Sequence, residues 1–231
     1  MNEKIVYPGQ SKKFYTKIPY AKDFFLNYLL KDGWYVTNLG QTRFIEYAWV
    51  FNNLNRKEGR TLDVGFGKFP IFPLQLAALG YDVYGIDLMD EMHPIFKTIA
   101  HTLDFKYEIG DVMKSQPNGF FDIITCVSTI EHAENDIKIM GKLKQLLKRK
   151  GLLFLTTEYG LRKQTIPIYD YATKKGKGWK VYDKESLGEL IKGFKIRKVE
   201  YFIPKNKTWV KSTEEECGSV EEGLICLELV K

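Results

Sequence analysis

A loop with two glycines follows the first apolar strand of a strand–helix alternation, and its residue types suit a small molecule with a positive end. Residues 61–64 are apolar or β-branched except for Asp63, and Gly65 and Gly67 come next. Glycines between a strand and a helix let a ligand approach the main chain closely. Asp63 would repel a pyrophosphate and attract an ammonium group, and Pro70 stands where a dinucleotide-binding loop needs its third glycine. No Gly-Lys-Ser/Thr follows, which excludes a P-loop.

Two further acids end the next two predicted strands. Asp87 lies 24 residues after Asp63, and Asp111 follows Gly110 at the end of the third strand. An acid at the end of the second strand of a Rossmann-like domain accepts hydrogen bonds from both ribose hydroxyls. Asp111 is placed to reach an adenine amino group. Because the carboxyl ends of consecutive parallel strands face one crevice, the three carboxylates predict a ligand with a cationic end, a ribose and an adenine.

A parallel sheet is needed to bring these residues together, and the pattern of apolar residues predicts such a sheet. Continuous apolar strands alternate with helices, which indicates a sheet covered on both faces. The predicted strands are 61–64, 81–86, 105–109, 121–127 and 152–157, and the predicted helices are 73–79, 89–101, 136–150 and 183–191. Residues 194–203 and 224–230 predict a terminal antiparallel pair, since no long helix fits between them. We therefore expect a doubly wound, Rossmann-like α/β fold with a seven-stranded sheet: five parallel strands plus that pair.

The region before the first strand predicts a separate helical part. Residues 20–30 and 43–54 carry apolar side chains at helical spacing. Residues 1–59 are therefore expected to form an N-terminal helical extension that caps the substrate. Residues 60–231 are expected to form the ligand-binding domain, with residues 159–182 as a cap loop after the fifth strand.

Successive motifs of the chain resemble those of the class I S-adenosylmethionine-dependent methyltransferase superfamily, in the type that acts on small molecules. The motifs are Asp63-Val64-Gly65-Phe66-Gly67, Gly85-Ile86-Asp87, Gly110-Asp111, Phe121-Asp122-Ile123-Ile124 and Ser128-Thr129-Ile130-Glu131-His132. The resemblance covers residues 60–157, and the terminal strand pair extends it. At position 69, where the family commonly has a third glycine, this chain has Phe69.

The resemblance implies S-adenosyl-L-methionine as the cofactor and assigns ten residues to it. These residues are Asp63, Gly65, Phe66, Gly67, Asp87, Leu88, Asp111, Val112, Val127 and Ser128. It places the glycines along the methionine part and Asp63 near the amino group. Asp87 would bind the ribose, and Asp111 with Val112 would hold the adenine. The segment that ends in Ser128 would lie beneath the sulfonium.

Glu131 and His132 follow the fourth strand, where the resemblance places the transferred methyl group. Methyl transfer from a sulfonium is an in-line displacement, so positioning supplies much of the catalysis. A base is needed when an acceptor hydroxyl or amine must lose a proton, and His132 with Glu131 beside it is the candidate. Alternatively, the pair caps the following helix or anchors the cofactor. The pair resembles that of quinone-biosynthesis O-methyltransferases; some of these bind a metal through an acid at the position of Ser128, so no metal is expected here.

Substrate selection is expected in the extension and in the cap loop. Tyr20 and Arg43 in the first, and Tyr159 and Tyr169 in the second, are the predicted substrate contacts. Aromatic rings beside positive charge suit a planar or glycosyl acceptor with an anionic part, and they suit equally a hydrophobic lid that excludes water. Residues 128–131 lack the Asn/Asp-Pro-Pro-aromatic motif of adenine-type nucleic-acid methyltransferases. The favoured acceptor is therefore a small molecule, methylated at oxygen or nitrogen.

Charge and composition leave other partners open. The net charge of +6 and the pI of about 9.0 are compatible with an anionic partner such as RNA. The lysines are scattered over amphipathic segments, as on solvated faces, so an RNA- or protein-directed methyltransferase and a non-catalytic Rossmann-like binding protein are the alternatives. Residues 1–13 lack the apolar core of a signal peptide, and no apolar run approaches a membrane span. With three cysteines of no metal-ligand spacing, we expect a cytoplasmic protein with reduced thiols.

Overall fold

The computed structural model describes residues 40–54, 59–67, 70–89, 97, 100–103, 105–115, 118–170, 175–205 and 208–231. Within these ranges it describes the backbone alone at residues 40, 41, 44, 168–170 and 175–177. The chain divides into two compact units, residues 1–110 (unit 1) and 111–231 (unit 2). The helix predicted over residues 20–30 lies outside the described residues. The predicted domain boundary near residue 60 stays a prediction.

Unit 1 contains the glycine loop and the first three strands. Its elements are α1 (Gly40–Asn53), β1 (Arg60–Val64), α2 (Ile71–Ala78), β2 (Asp82–Asp87) and β3 (Lys106–Ile109). As predicted, β1, β2 and β3 run parallel, with Asp63 opposite Gly85 and Asp87 opposite Ile109. The apolar residues of β1 and β2 are buried, because the sheet lies within the core. The register brings the carboxyl ends of the three strands to one edge.

Two helices of unit 1 pack against each other through aromatic rings. The ring of Tyr47 in α1 stacks on Phe72 in α2, with ring centroids 4.8 Å apart, and Phe51 approaches the same ring at 5.1 Å. Trp49 and Val50 of α1 are buried, and so are most residues of α2. A helix that is apolar on nearly all sides has to be enclosed by other elements. The helix predicted over 43–54 is thereby confirmed as α1.

Unit 2 has three largely buried strands, which begin at residues 121, 147 and 223, and further strands that are partly exposed. Its strands are β4 (Phe121–Val127), β5 (Leu147–Tyr159), β6 (Gln164–Asp170), β7 (Lys175–Val181), β8 (Lys195–Lys205), β9 (Thr208–Ser212) and β10 (Gly223–Val230), and its helices are α3 (Asp136–Leu146), α4 (Lys184–Leu190) and α5 (Glu214–Cys217). Short 3₁₀ turns span Val112–Lys114 and Ile130–His132. β4 pairs parallel with β5, while β10 lies antiparallel between β5 and β8. The predicted parallel strands and terminal antiparallel pair are confirmed.

The boundary between α3 and β5 differs from the prediction. The sequence pattern predicted a helix to residue 150, but α3 ends at Leu146 and residues 147–150 already belong to β5. Leu147 pairs with Phe121 of β4, and the ammonium of Lys148 reaches the Asp122 carboxylate at 2.9 Å. Sheet pairing and burial of Leu147 therefore outweigh the helix propensity of this lysine-rich stretch.

Two strand features of unit 2 were not predicted. β9 pairs antiparallel with β8, so the sheet strands of this unit number five where four were predicted, and the predicted total of seven is wrong. The predicted cap loop contains a hairpin, in which β6 pairs antiparallel with β7. The α/β Rossmann-like fold itself is confirmed. Among the described helices, none is long and apolar enough to span a bilayer. The three cysteines are buried and form no disulfide.

Candidate functional site

The glycine loop of unit 1 leaves room beside its main chain. Gly65 and Gly67 have φ angles of +81° and +66°, in the left-handed region that side chains disfavour. The N–H of Gly65 donates to the carbonyl of Ile86 over 2.8 Å and continues the parallel pairing past the end of β1. No described heavy atom lies within 4 Å of a Cβ built on Gly67. The loop therefore offers open space for a close ligand approach.

Asp87 fixes this loop to the end of β2. Its Oδ2 accepts from the N–H of Gly67 over 2.6 Å, and its Oδ1 accepts from the N–H of Met89 over 2.8 Å. A carboxylate has about four lone-pair positions, so two acceptor positions stay open to a ligand. Leu88, also assigned to the cofactor by sequence, is exposed beside it. The spacing of glycine and acid in the sequence corresponds to direct contact between them.

Asp63 is buried beneath the loop near an ionisable cluster on α1. Burial raises the pKa of Tyr47 well above its ordinary value; the Arg43 charge opposes this shift, and the Glu46 and Asp63 carboxylates add to it. Arg43, predicted to contact substrate, pairs with the fully buried Glu46 at 3.2 Å. The sequence analysis missed Tyr47, which looked like one more apolar position of a helix.

Phe66 packs inward between the two glycines. Its ring meets Phe105 and Tyr107 edge-on, with centroids 6.2 and 5.9 Å away. A Cβ on Gly85 would lie 2.8 Å from the Phe66 ring and 2.6 Å from the Phe105 ring. The small residue at position 85 thus lets these rings close over β2, and Phe66 anchors the loop to the core.

Asp111 and Val112 begin unit 2 at a 3₁₀ turn. Oδ1 of Asp111 accepts from the N–H of Met113 over 2.9 Å, so this acid caps the turn. Val112 is buried, whereas Met113 is partly exposed. Capping occupies one face of the carboxylate and leaves its other oxygen for the predicted adenine contact.

The end of β4 is strained at Ser128. This residue has a φ of +38°, rare for a non-glycine residue. Its N–H lies 3.1 Å from both the carbonyl and the hydroxyl oxygen of Thr156 in β5. The hydroxyl of Thr129 turns back to the carbonyl of Val127 over 3.0 Å. Strand β5 therefore holds Ser128 in an unfavourable backbone conformation, at the position where the family resemblance places the sulfonium. Such strained residues are common at functional sites.

The side chains of Glu131 and His132 lie close together on the following turn. Nε2 of His132 lies 3.7 Å from Oε1 of Glu131; the imidazole is half exposed, and the carboxylate is buried. Thr157 donates its hydroxyl to Oε2 of Glu131 over 3.3 Å. A buried carboxylate beside an accessible imidazole can orient the ring and stabilise its protonated form. In the described parts of the chain, no three His, Cys, Asp or Glu residues are grouped as metal ligands.

A second polar cluster lies next to this turn and was missed from the sequence. Lys180 of β7 and Tyr182 both reach Oδ2 of Asp136, at 2.9 and 2.8 Å. Burial alone would raise the pKa of Asp136, but the hydrogen bonds from Lys180 and Tyr182 outweigh it and lower that pKa. Burial, and then the hydrogen bond to Asp136, raise the pKa of Tyr182 far above its ordinary range. The residues are 44 and 46 positions from Asp136, and no local pattern reveals such a contact.

Tyr159 is the predicted substrate residue that the described structure places at a cavity. The cavity has a volume of about 750 Å³ and lies in unit 2. Its lining residues are Tyr159, Gly160, Leu161, Asp183, Lys184, Glu185, Thr213, Glu214, Glu215 and Gly218. Burial and then the Glu214 carboxylate raise the pKa of Tyr159 to about 12. Tyr20 lies outside the described residues, and Tyr169 is described only as backbone of β6.

Comparison with known proteins gives a consistent pattern. A family model described as "Methyltransferase domain" matches residues 42–199. The ubiquinone biosynthesis O-methyltransferase of Burkholderia multivorans is 29% identical over 119 residues, which are 49% of this chain and 50% of that protein. The chain thus spans about half the length of the curated relatives it matches.

Solved structures share the fold across more of the chain. A 1,6-didemethyltoxoflavin-N1-methyltransferase from Burkholderia thailandensis, solved with its acceptor and S-adenosylhomocysteine, has a TM-score of 0.63. It is 16% identical, and the match covers 100% of this chain and 93% of that one. A SAM-dependent methyltransferase from Methanosarcina mazei has a TM-score of 0.60 at 17% identity, covering 78% of this chain and 96% of that one.

Proposed function

The chain belongs to the methyltransferase-domain family, within the class I S-adenosylmethionine-dependent superfamily, and from that premise we propose that it methylates an oxygen or nitrogen atom of a small molecule. The observation that carries the proposal is the hydrogen bond from the Gly67 N–H to the Asp87 carboxylate. It joins an open glycine loop to an acid at the end of the second strand. This arrangement suits a nucleoside with an attached amino-acid part.

The residues present fit S-adenosylmethionine, which supplies a sulfonium-activated methyl group when bound. In unit 1, the open space at Gly67 admits the methionine part, and the remaining acceptor positions of Asp87 suit two ribose hydroxyls. Buried Asp63 offers negative charge to the ammonium. In unit 2, Asp111 would hold the adenine amino group through its uncapped oxygen, and Val112 would contact the adenine. Gly65, Phe66, Leu88, Val127 and Ser128 complete the proposed set.

His132 is proposed as the base and Glu131 as its partner. The acceptor atom would gain the methyl carbon as the carbon–sulfur bond of the sulfonium breaks and leaves a neutral thioether. It would lose its proton to the imidazole, so that no positive charge builds up on the acceptor. The Glu131 carboxylate, 3.7 Å from Nε2, stabilises the imidazolium that results. The half-exposed imidazole can then pass its proton to water.

The names of similar proteins support a small-molecule acceptor. One acts in ubiquinone biosynthesis as an O-methyltransferase, and another methylates a nitrogen of didemethyltoxoflavin. Both acceptors are single molecules rather than polymers, which favours a compact acceptor here as well. Tyr159 at its cavity, together with Tyr20, Arg43 and Tyr169, stays the proposed set of substrate contacts.

Binding and transfer are measured separately. Calorimetry with S-adenosylmethionine and S-adenosylhomocysteine tests the cofactor, and we expect saturable binding. Tritiated S-adenosylmethionine is then offered with catechols, phenols and aromatic amines, and label in one class identifies the acceptor atom. Absence of cofactor binding at millimolar ligand would refute the proposal.

The net charge of +6 favours one second candidate, an RNA-directed methyltransferase or binding protein. Such a protein would bind RNA with an affinity that falls steeply with salt concentration. Labelling of total RNA in preference to the small-molecule panel would support that candidate. Label confined to small molecules would exclude it.

A further inference from the structure

The ammonium of Lys180 binds the segment that directly follows the Glu131–His132 turn. Its Nζ donates to the carbonyl of Ala133 over 2.8 Å and lies 3.4 Å from the carbonyl of Glu134. It also pairs with Oδ2 of Asp136 at 2.9 Å. An ammonium has three donors, and these three acceptors occupy all of them. One side chain of the β6–β7 hairpin therefore binds three acceptors within residues 133–136.

Tyr182 strengthens the same attachment from the end of the hairpin. Its hydroxyl donates to Oδ2 of Asp136 over 2.8 Å, and its ring is 2% exposed. Main-chain bonds fix Tyr182 to β5, because its carbonyl accepts from Gly160 and its N–H donates to Glu158. The Asp136 carboxylate thus connects the first turn of α3 to a rigid strand end. Hydrogen bonds to a charged, largely buried acceptor are stronger than neutral ones.

The held segment is one peptide away from the candidate base. The N–H of His132 donates to the carbonyl of Thr129, and the N–H of Ala133 donates to that of Ile130, which closes a tight turn. Glu131 is tied to β5 through Thr157. A shift of Ala133 therefore moves the backbone of His132 directly, whereas the Glu131 side chain has its own anchor.

We propose that Lys180 is a positioning residue for His132. By binding the carbonyls of Ala133 and Glu134 and the carboxylate of Asp136, it determines the position of the His132 imidazole relative to Glu131. The catalytic part of this inference rests on the proposed methyl transfer. The geometric part does not, because it concerns the turn itself. The hairpin that sequence analysis treats as a substrate cap thereby orients the base as well.

A matched lysine distinguishes positioning from simple stabilisation. Lys148 pairs with Asp122 at 2.9 Å, at the start of β4, whereas the Glu131–His132 turn follows the end of that strand. Both ion pairs lie in unit 2, and both are partly buried. Lys180→Met and Lys148→Met each remove a lysine–aspartate pair while keeping an unbranched apolar stem. A purely structural role predicts that the two variants lose stability and nothing else.

The test is the ring signal of His132 in a proton–carbon correlation spectrum. The chain has three histidines, and His132→Gln identifies the signal of interest by its disappearance. We expect Lys180→Met to shift the His132 signal, Lys180→Arg to restore it in large part, and Lys148→Met to leave it in place. If Lys180→Met does not fold, Lys180→Gln, which retains amide donors, is measured instead. An unchanged His132 signal in the folded variant overturns the proposal, and so does an equal shift in Lys148→Met.

Kinetics with an acceptor from the catechol, phenol and amine panel add a second readout. Lys180→Met should lower kcat by about tenfold or more, because small displacements of a reacting group are costly, and should leave the KM for S-adenosylmethionine unchanged. Lys180→Arg should recover part of kcat. A loss confined to KM would contradict positioning. The spectrum needs neither cofactor nor acceptor, so a failure of the proposed function appears as absent transfer with the His132 shift intact.

Discussion

The N–H of Gly67 donates to Oδ2 of Asp87 over 2.6 Å, and the same carboxylate accepts from Met89 through its other oxygen. This contact joins two sequence motifs that are 20 residues apart. It makes the acid a structural member of the loop as well as a proposed ligand for the ribose. Loss of this carboxylate is therefore expected to affect cofactor binding in two ways.

Asp87→Asn should weaken S-adenosylhomocysteine binding by at least about tenfold. The amide replaces one charged acceptor by a donor, and hydrogen bonds to charged groups contribute about 1.5–3 kcal/mol. Titration calorimetry gives the affinity directly. Asp82→Asn is the control: Asp82 begins the same strand, is exposed, and pairs with Arg60 at 3.7 Å. Equal affinities for Asp87→Asn and Asp82→Asn would remove Asp87 from the site.

Gly67→Ala should reduce binding more than stability. The φ of +66° costs a side chain about 1–2 kcal/mol, but the added methyl meets no described atom within 4 Å. We expect a folded variant with a modestly lower Tm and a larger loss of affinity, since the methyl would enter the space in which we propose that the cofactor binds. Gly85→Ala has the opposite profile, because its methyl would collide with Phe105 at 2.6 Å. Tm and affinity measured together separate these effects, and a Gly67→Ala variant with full affinity would show the space to be unused.

Local sequence patterns predict part of this structure. Features that depend on contacts between residues distant in sequence were not predicted. Gly65, Gly67 and Asp87 were predicted as ligand contacts because ligands bind at the carboxyl ends of the strands of a parallel sheet, where glycines allow a close approach. The start of β5 at Leu147 was missed, because its partner Phe121 is distant in sequence and helix propensity gave the opposite answer. The sequence shows the periodicity of apolar residues, whereas the pairing of strands distant in sequence determines where a helix or strand begins and ends.

The same limit applies to the candidate site. Arg43 stays a proposed substrate contact, but its ion pair with the buried Glu46 one helical turn away was not predicted. The ion pair between Lys180 and Asp136 joins residues that are 44 positions apart, so no local sequence pattern predicts it. The strand β9, which begins at Thr208, was likewise not predicted. Motif spacing therefore indicates candidate ligand residues, but it does not predict the long-range polar contacts around them.

His132→Gln should lower kcat/KM for the identified acceptor by about 10²–10⁴-fold, the usual contribution of a general base. Affinity for S-adenosylhomocysteine should stay unchanged, because the proposed cofactor contacts do not include this ring. His101→Gln is the matched control, since that histidine is exposed in unit 1. A His132→Gln enzyme with wild-type turnover would assign the ring to capping or cofactor anchoring instead.

Alkaline pH should destabilise the protein through its buried tyrosines, and Tyr159 provides a clear case. Burial and then the Glu214 carboxylate raise its pKa from 10.0 to about 12. Between these values the unfolded chain releases the phenolic proton while the folded chain retains it. The free energy of unfolding therefore falls as pH rises through this window, by at most about 1.4 kcal/mol per pH unit for one tyrosine.

Tyr159→Phe should make that fall less steep, and Glu214→Gln should move the onset of Tyr159 ionisation to lower pH, because it removes the nearby negative charge. Denaturant unfolding at a series of pH values measures the first effect, and phenolate absorbance measures the second. Other groups whose pKa values burial raises, among them Tyr182, Tyr201 and Cys217, contribute to the slope that remains in the variant. Identical pH profiles for wild type and Tyr159→Phe would mean that this hydroxyl titrates alike in the folded and unfolded chain, and that the contact with Glu214 has no electrostatic consequence.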